Sequence, residues 1–219
     1  MQSGTASERS ADISFGLLQP ADVEPMIHLI ASAFSAAEPP AVAMGLTVSE
    51  LTEFLKMLVP TALEDGLTVV ARSSAGNQLV GAMLTDDFAS PAPLDPQRLS
   101  PGLLPIMGML ESLDDQYREG KEVRSGEYLH LFMLAVDPQF GGQGIAQGMV
   151  ERCLENGLRK GYRWAMTEAT GVISQRVFRK LGFEERFRIR YRDFRYQDAA
   201  VFAGITEHDG AALMDRALP

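Results

Sequence analysis

Residues 134–146 read LAVDPQFGGQGIA, and this stretch indicates the fold more clearly than any other part of the chain. The pattern predicts a strand, then a glycine-rich turn, then a helix. Such a turn aims several backbone N–H groups at one point, where the helix dipole is positive. Glycine allows a phosphate to approach closely and permits backbone angles with positive φ. The stretch therefore predicts a diphosphate-binding turn built from main-chain groups.

Two common nucleotide-binding motifs do not fit these glycines. A P-loop needs Lys followed by Ser or Thr, and the dinucleotide fingerprint needs another glycine spacing and a later acidic residue.

A second motif lies downstream, where residues 170–183 read TGVISQRVFRKLGF. It is typical of a loop, a short amphipathic helix and a stop at Gly182, because glycine commonly follows the last helical residue.

The two motifs together resemble the GNAT superfamily of acetyl-CoA-dependent N-acetyltransferases, and most closely its arylalkylamine and dopamine N-acetyltransferase branch. The family pattern Gln/Arg-x-x-Gly-x-Gly/Ala falls on Gly141, Gly144 and Ala146. Gly141 departs from the pattern, since the family prefers Gln or Arg there. The family's second motif ends in the same Lys-Leu-Gly-Phe, here residues 180–183. The resemblance covers residues 13–196.

The resemblance implies acetyl-CoA as co-substrate. Backbone groups of Leu134 and Val136 would pair with the pantetheine arm, which would act as an added strand at a splayed sheet edge. Many family members carry a Tyr that protonates the leaving thiolate where this chain has Phe178, which we expect to pack against the cofactor or the core. The cofactor-binding residues implied in this way are Leu134, Ala135, Val136, Gly141, Gly142, Gln143, Gly144, Ile145, Ala146 and Phe178.

Glu38 is the first candidate for the general base that N-acetyl transfer requires. It precedes Pro39 at a helix end, and the segment resembles the Asp-Glu-Pro-Leu segment of the arylalkylamine branch, where that Glu is the base. Ala37 and Pro40 depart from the pattern. Partial burial would raise the pKa of Glu38 and help it to accept a proton near neutral pH. The alternative is an exposed carboxylate at a helix end.

Three further side chains are catalytic candidates. His130 lies on the strand leading to the glycine turn, where the vertebrate arylalkylamine branch has a His followed by a second one; here the second position is Phe132. A lone strand His is more often structural. The insect dopamine branch has serines at both positions, which Ser174 matches directly and Thr170 by its hydroxyl only; the two hydroxyls either face the thioester or cap the helix.

Bulk composition describes an ordinary globular chain of 219 residues, with 46% apolar and 22% charged residues. We expect a loose tail over residues 1–12, without the apolar region of a secretory signal, and a single domain over residues 13–219. Cys153 is the only cysteine, which favours a reducing compartment and hence the cytoplasm. We expect no metal, because no Cys/His cluster is present.

The net charge of −9 disfavours nucleic acid as a partner, and no apolar run is long enough for a membrane span. One basic segment departs from this acidic character. Residues 186–192, RFRIRYR, alternate four arginines with apolar residues. Such a strand could bind RNA, but a solvated or ion-paired face is the favoured interpretation. A homodimer is an alternative that the sequence leaves undecided.

Apolar periodicity predicts the order βααββ, helix, βαβα, ββ. The last two strands are expected at residues 183–191 and 199–205, and residues 88–101 as a surface loop. This order indicates an α/β fold with a mixed, mostly antiparallel central sheet and helices on both faces, as in the acyl-CoA N-acyltransferase fold of GNAT proteins. The helix predicted over residues 103–117 is an elaboration of this chain.

These features predict an enzyme that transfers an acetyl group from acetyl-CoA to a primary amine by direct attack, with a small (aryl)alkylamine as acceptor. One alternative is acetylation of a protein N-terminus or lysine in an open groove. Another is a sensor that binds acyl-CoA without turnover. Fold resemblance alone does not choose the acceptor.

Overall fold

The computed structural model describes residues 12–219, and residues 1–11 of the predicted tail lie outside this range. One sheet runs through the described chain, with the strand order β1-β2-β3-β4-β5-β7-β6. The strands are β1 (Ile13–Leu17), β2 (Val69–Ser73), β3 (Gln78–Asp87), β4 (Tyr128–Val136), β5 (Trp164–Ala169), β6 (Glu184–Arg190) and β7 (Gly210–Ala217). Only β4 and β5 pair in parallel, so the predicted mixed, mostly antiparallel sheet is confirmed.

Helices cover both faces of the sheet, as predicted. They are α1 (Val23–Ala37), α2 (Pro39–Ala43), α3 (Val48–Asp65), α4 (Leu104–Arg118), α5 (Ile145–Arg159) and α6 (Val172–Lys180). Helices α1, α3 and α4 pack on one face, and α5 and α6 on the other. Each face has its own apolar core. No helix in residues 12–219 is both long enough and apolar enough to cross a membrane.

Strands β4 and β5 separate after a short parallel contact. Their register pairs only three residues of each strand, ending at His130 opposite Met166. Beyond this point the Thr167 hydroxyl donates to the Leu131 carbonyl over 2.8 Å, and β4 continues to Val136 without a partner on that side. The result is an open edge in the middle of the sheet.

A β-bulge at Phe132 determines which groups face that edge. Across the β3–β4 pair, Leu84 opposes Met133 while the next residue of β3 opposes Leu131, so Phe132 is the extra residue. The Asp137 N–H donates to a carbonyl of β3 over 2.8 Å. Because backbone groups alternate along a strand, the N–H and C=O groups of Leu134 and Val136 point to the open edge.

The predicted last strand is wrong. Residues 199–205 form turns, and the strand lies at Gly210–Ala217, inserted between β5 and β6. Its sequence, GAALMDRA, lacks β-branched and aromatic residues, and its first six residues are buried. Pairing with β5 and β6 along both edges, together with burial of its side chains, outweighs the weak intrinsic preference for strand. The apolar residues of 199–205 pack instead as a turn, with Phe202 against Tyr191.

Three smaller differences concern loops and helix ends. Helix α1 ends before Pro39, as predicted, but Pro39 also begins a short further helix, α2, where a proline in the first turn lacks only a free N–H. The predicted surface loop over residues 88–101 buries Phe88 at 2% exposure, on the ring of Tyr117. Helix α5 begins at Ile145, three residues after Gly142, where the apolar periodicity of residues 142–160 predicts its start.

The arginine-rich segment is ion-paired, in agreement with the favoured interpretation. Each of the four arginines has a carboxylate within 4.0 Å, and two pairs are close, Arg186 to Asp215 at 2.6 Å and Arg188 to Glu185 at 2.6 Å. Asp215 is buried on β7 and also accepts from the Tyr117 hydroxyl over 2.7 Å. Arg186 therefore ties β6 to β7.

Candidate active site

A cavity of about 700 Å³ opens where β4 and β5 separate. Helices α1, α2, α3 and α4 form one side of it, and the glycine-rich turn, the first turn of α5 and one face of α6 form the other. The topology explains this position. Where two neighbouring strands diverge, their backbone groups lack a hydrogen-bonding partner, and the side chains at the strand ends border the gap. The predicted cofactor and catalytic positions converge here with two exceptions, Gln143 and His130, which do not line the cavity.

The glycine turn has the geometry that the sequence predicted. Gly142 and Gly144 have φ values of +76° and +78°, which residues with a side chain rarely adopt. Gly144 is the N-cap of α5, so the free N–H groups of the first helical turn face the turn. Gly141 has φ −60° and needs no special backbone freedom. The turn offers main-chain donors to an anion.

Glu38 lies between α1 and α2, on the cavity wall. It is the N-cap of α2, and its carboxylate accepts the Ala41 N–H over 2.6 Å. Burial raises the pKa of Glu38 to about 7, against the smaller opposite effects of the Thr170 side chain and the Ala41 N–H. The side chain is half-buried. A carboxylate with this pKa is a competent base at neutral pH.

The hydroxyl candidates differ in what holds them. The Ser174 hydroxyl donates to the Gly171 carbonyl over 2.9 Å and accepts the Gly171 N–H over 3.3 Å, which is a turn-closing role at the start of α6. Thr170 lines the cavity, and its carbonyl accepts the Tyr191 hydroxyl over 2.6 Å. Burial, and then the charge of nearby Glu38, raise the pKa of Tyr191.

His130 is enclosed by carboxylates. Its Nδ1 lies 2.9 Å from Asp86 and its Nε2 lies 2.8 Å from Glu168. Burial alone would lower the pKa of His130, but the charges of Glu168 and Asp86 outweigh burial and raise it well above its usual value. The imidazole is therefore protonated at neutral pH and has no free nitrogen to accept a proton. This geometry favours Glu38 over His130 as the base.

Two residues of the cavity wall were not predicted from the sequence. Glu168 is the last residue but one of β5 and belongs to the lining of the cavity beside the open edge. His208 lies in the loop between β6 and β7, and its Nδ1 accepts the Val172 N–H over 3.2 Å, so it caps α6. The residues of β5, WAMTEA, do not alternate in polarity, so no local pattern marks Glu168, and none marks His208.

Known protein structures share the whole fold at low sequence identity. The C-terminal condensation domain of Ebony, in complex with beta-alanyl-dopamine, aligns with a TM-score of 0.87 over 94% of this chain and 99% of the other, at 15% identity. Arylalkylamine N-acetyltransferase 2 from Aedes aegypti aligns with a TM-score of 0.79 over 95% and 100%, at 22% identity. The Drosophila melanogaster polyamine N-acetyltransferase aligns with a TM-score of 0.75 over 94% and 100%, at 20% identity.

A sequence-family comparison is more specific. The model of the Acetyltransferase (GNAT) family matches residues 61–183, which is more than half of the chain. The match spans both separating strands, the glycine turn and the two helices that follow. The chain therefore belongs to the GNAT family of acetyltransferases.

Proposed function

We propose that this acetyltransferase uses acetyl-CoA to acetylate the primary amine of a small molecule, with an arylalkylamine as the class of acceptor. The observation that carries the proposal is Glu38, a carboxylate with a pKa of about 7 on the wall of the cavity that also holds the open β4 edge. The named activities of the Aedes and Drosophila structures, on arylalkylamines and polyamines, support an amine acceptor.

The residues present fit acetyl-CoA. The N–H groups around Gly142 and Gly144 would hold its diphosphate, and the backbone of Leu134 and Val136 would pair with its pantetheine amides. The turn itself carries no cationic side chain, and Lys180 on α6 is the lysine on the cavity wall. When bound, acetyl-CoA supplies the acetyl group as an activated thioester.

Glu38 would take a proton from the ammonium form of the acceptor, directly or through a water. The nitrogen lone pair is then free to attack, and no covalent link to the protein is needed. Phe178 has no acidic proton, so it cannot protonate the leaving sulfur; it is 2% exposed and packs edge-on against Phe183. The proton for the leaving sulfur would instead come from a hydroxyl, such as that of Ser174, or from water.

The acceptor side of the cavity favours an apolar body. Phe54 and Phe132 contact each other edge-to-face with ring centroids 6.3 Å apart, and both line the cavity with Phe34. Helix α4 adds Ile106, Met107 and Leu110 to the same wall. Rings and methylene groups are stabilised in such surroundings. Because helices cover this side, we favour a small molecule over a protein segment.

Calorimetric titration with acetyl-CoA, followed by an amine panel with detection of the released thiol, tests the proposal. The panel contains aryl-ethylamines, polyamines and a lysine peptide. We expect acetyl-CoA binding, thiol release with small amines, and a loss of about 100-fold or more in kcat for Glu38→Gln. Thiol release with the peptide alone would identify a protein acetyltransferase, and binding without release would identify a sensor. Either result contradicts the proposal.

A further inference from the structure

Three successive backbone carbonyls between β5 and α6, those of residues 169–171, each accept a hydrogen bond from a side chain. The pairs are Gln175 Nε2 with the Ala169 carbonyl at 3.0 Å, the Tyr191 hydroxyl with the Thr170 carbonyl at 2.6 Å, and the Ser174 hydroxyl with the Gly171 carbonyl at 2.9 Å. Most backbone carbonyls in proteins bond to backbone N–H groups instead. Side chains therefore fix the path of the chain at residues 169–171.

This segment lies against the residues that follow α1. A Cβ atom placed on Gly171 would be 3.9 Å from two ring atoms of Pro39, which is the neighbour of Glu38. The Thr170 side chain is near enough to Glu38 to lower the pKa of that carboxyl, and both residues line the cavity. The backbone of residues 169–171 thus sets the position of the Thr170 side chain relative to Glu38.

Tyr191 is the one donor of the three that does not belong to α6. It follows β6 directly and is 0% exposed. Its N–H donates to the Asp209 carbonyl over 3.1 Å, and its ring meets the Phe202 ring edge-on with centroids 5.8 Å apart. Burial and then the charge of Glu38 raise the pKa of Tyr191, so the hydroxyl keeps its proton at neutral pH. The hydroxyl is therefore a fixed donor to the Thr170 carbonyl.

We propose that Tyr191 is a positioning residue for acetyl transfer, because its hydroxyl holds the Thr170 carbonyl and thereby keeps the Thr170 side chain against Glu38. Tyr191 does not line the cavity, so it acts on the reaction only through these two residues. The inference rests on the proposed function, in which Glu38 is the base. The turns at residues 199–205 then support the catalytic segment through Phe202.

Removal of the Tyr191 hydroxyl should change the titration of Glu38. A partly buried carbonyl that loses its only donor is unfavourable, so the peptide group after Thr170 would turn towards another donor and carry the Thr170 side chain with it. The Thr170 side chain lowers the pKa of Glu38. Because that effect weakens when the side chain moves away, the pKa of Glu38 should rise in Tyr191→Phe.

Other groups around Glu38 stay the same in this variant. Within residues 12–219, the pKa of Glu38 is set by burial, by the Thr170 side chain and by the Ala41 N–H, and none of these is a charged group. The titratable side chains on the rest of the cavity wall come from β5, α6 and the loop between β6 and β7, and they are Glu168, Lys180 and His208. Tyr191→Phe alters none of them, so a changed titration of Glu38 reports on Thr170.

Titration of the Glu38 carboxyl by ¹³C NMR tests the inference without turnover, and Glu38→Gln assigns the signal. We expect a midpoint at about 7 in wild type. In Tyr191→Phe, which keeps the buried ring, the midpoint should rise by about half a pH unit, and by no more than in Thr170→Val. Tyr196→Phe is the matched control, because this tyrosine lies in the same loop and its ring packs on Gly108 of α4. It should titrate as wild type.

The double variant separates positioning from a general loosening of the fold. If the Tyr191 hydroxyl acts through Thr170, Tyr191→Phe should cause no further shift once Thr170→Val has removed the side-chain hydroxyl. The acid limb of kcat should show the same pattern, with an unchanged KM for acetyl-CoA. A loosened fold would instead lower kcat equally at every pH. If no amine is acetylated, the proposed function fails, but the NMR titration still decides the role of Tyr191.

Phe202→Leu provides a second variant if Tyr191→Phe does not fold. It keeps the Tyr191 hydroxyl but removes the ring behind it, so the midpoint of Glu38 should rise by a smaller amount. An unchanged or lower midpoint in the variant that folds would overturn the inference. A full further shift from Tyr191→Phe in the presence of Thr170→Val would overturn it as well, since the hydroxyl would then act on Glu38 by another route.

Discussion

The pH dependence of turnover tests the role of Glu38 most directly. With a pKa of about 7, Glu38 is a free carboxylate in half of the molecules at that pH. The fraction is about one tenth at one pH unit below, and about nine tenths at one unit above. Because a base works only when deprotonated, kcat should rise about tenfold per pH unit in the acid limb and level off at about pH 8. A glutamate with an ordinary pKa would give a flat profile over this range.

The acceptor amine also titrates, so the comparison must cancel its contribution. We would measure thiol release at saturating amine for wild type and Glu38→Gln at each pH, and follow the ratio of the two kcat values. This ratio should reach about 100 or more on the plateau and fall towards low pH with a midpoint at about 7. Glu24→Gln, on the exposed face of α1, is the control and should behave as wild type.

Thr170→Val adds a second check on the same pKa. The Thr170 side chain lowers the pKa of Glu38, so its removal should move the acid limb to higher pH. A wild-type profile that stays flat down to about pH 5, or a Glu38→Gln enzyme with an unchanged acid limb, would show that another group is the base. An acid limb that moves to lower pH in Thr170→Val would contradict the assigned cause of the shift.

Three further results are expected. Gly144→Ala should destabilise the fold by about 1–2 kcal/mol in chemical denaturation and weaken acetyl-CoA binding, because φ is +78° there, whereas Gly141→Ala, at φ −60°, should have the smaller effect; equal effects would contradict the role of the backbone angle. Cys153 is 1% exposed and burial raises its pKa to about 12, so the native enzyme should react with thiol reagents only after unfolding, and a fast native reaction would refute this. The raised folded pKa of Glu38 favours its neutral form, so its contribution to stability is present below pH 4.5 and is lost as the pH rises through 7; Glu38→Gln should therefore unfold at an equal or higher temperature than wild type at about pH 8, with a gain on the order of 1 kcal/mol, and a lower Tm there would contradict it.

The parts of the fold that local sequence controls were predictable. The glycines at residues 141–144 act through the backbone angles of their own turn, and the Lys-Leu-Gly-Phe stop acts on its own helix. The capping pair Thr47 and Glu50 likewise acts within its own turn, at the start of α3. The separation of β4 and β5, by contrast, was implied by the family resemblance and not by any residue pattern.

The parts that depend on distant contacts were not predictable. Strand β7 is a strand because β5 and β6 enclose it, and its own residues have little preference for that state. His130 is held by Asp86 and Glu168, which lie 44 and 38 residues away in the chain. A single sequence shows the histidine but not its partners.

The short seam between β4 and β5 has a consequence for the lifetime of the enzyme in a cell. Three residue pairs join the first four strands to the last three. If the pantetheine arm adds a strand along the open edge, the acyl donor becomes a structural member of the sheet as well as a reactant. A donor at 100 times its dissociation constant would then add about 2.7 kcal/mol to the free energy of unfolding. Under starvation for the donor, the population open to proteolysis would grow by about 100-fold, so abundance of the enzyme would follow the supply of its own co-substrate.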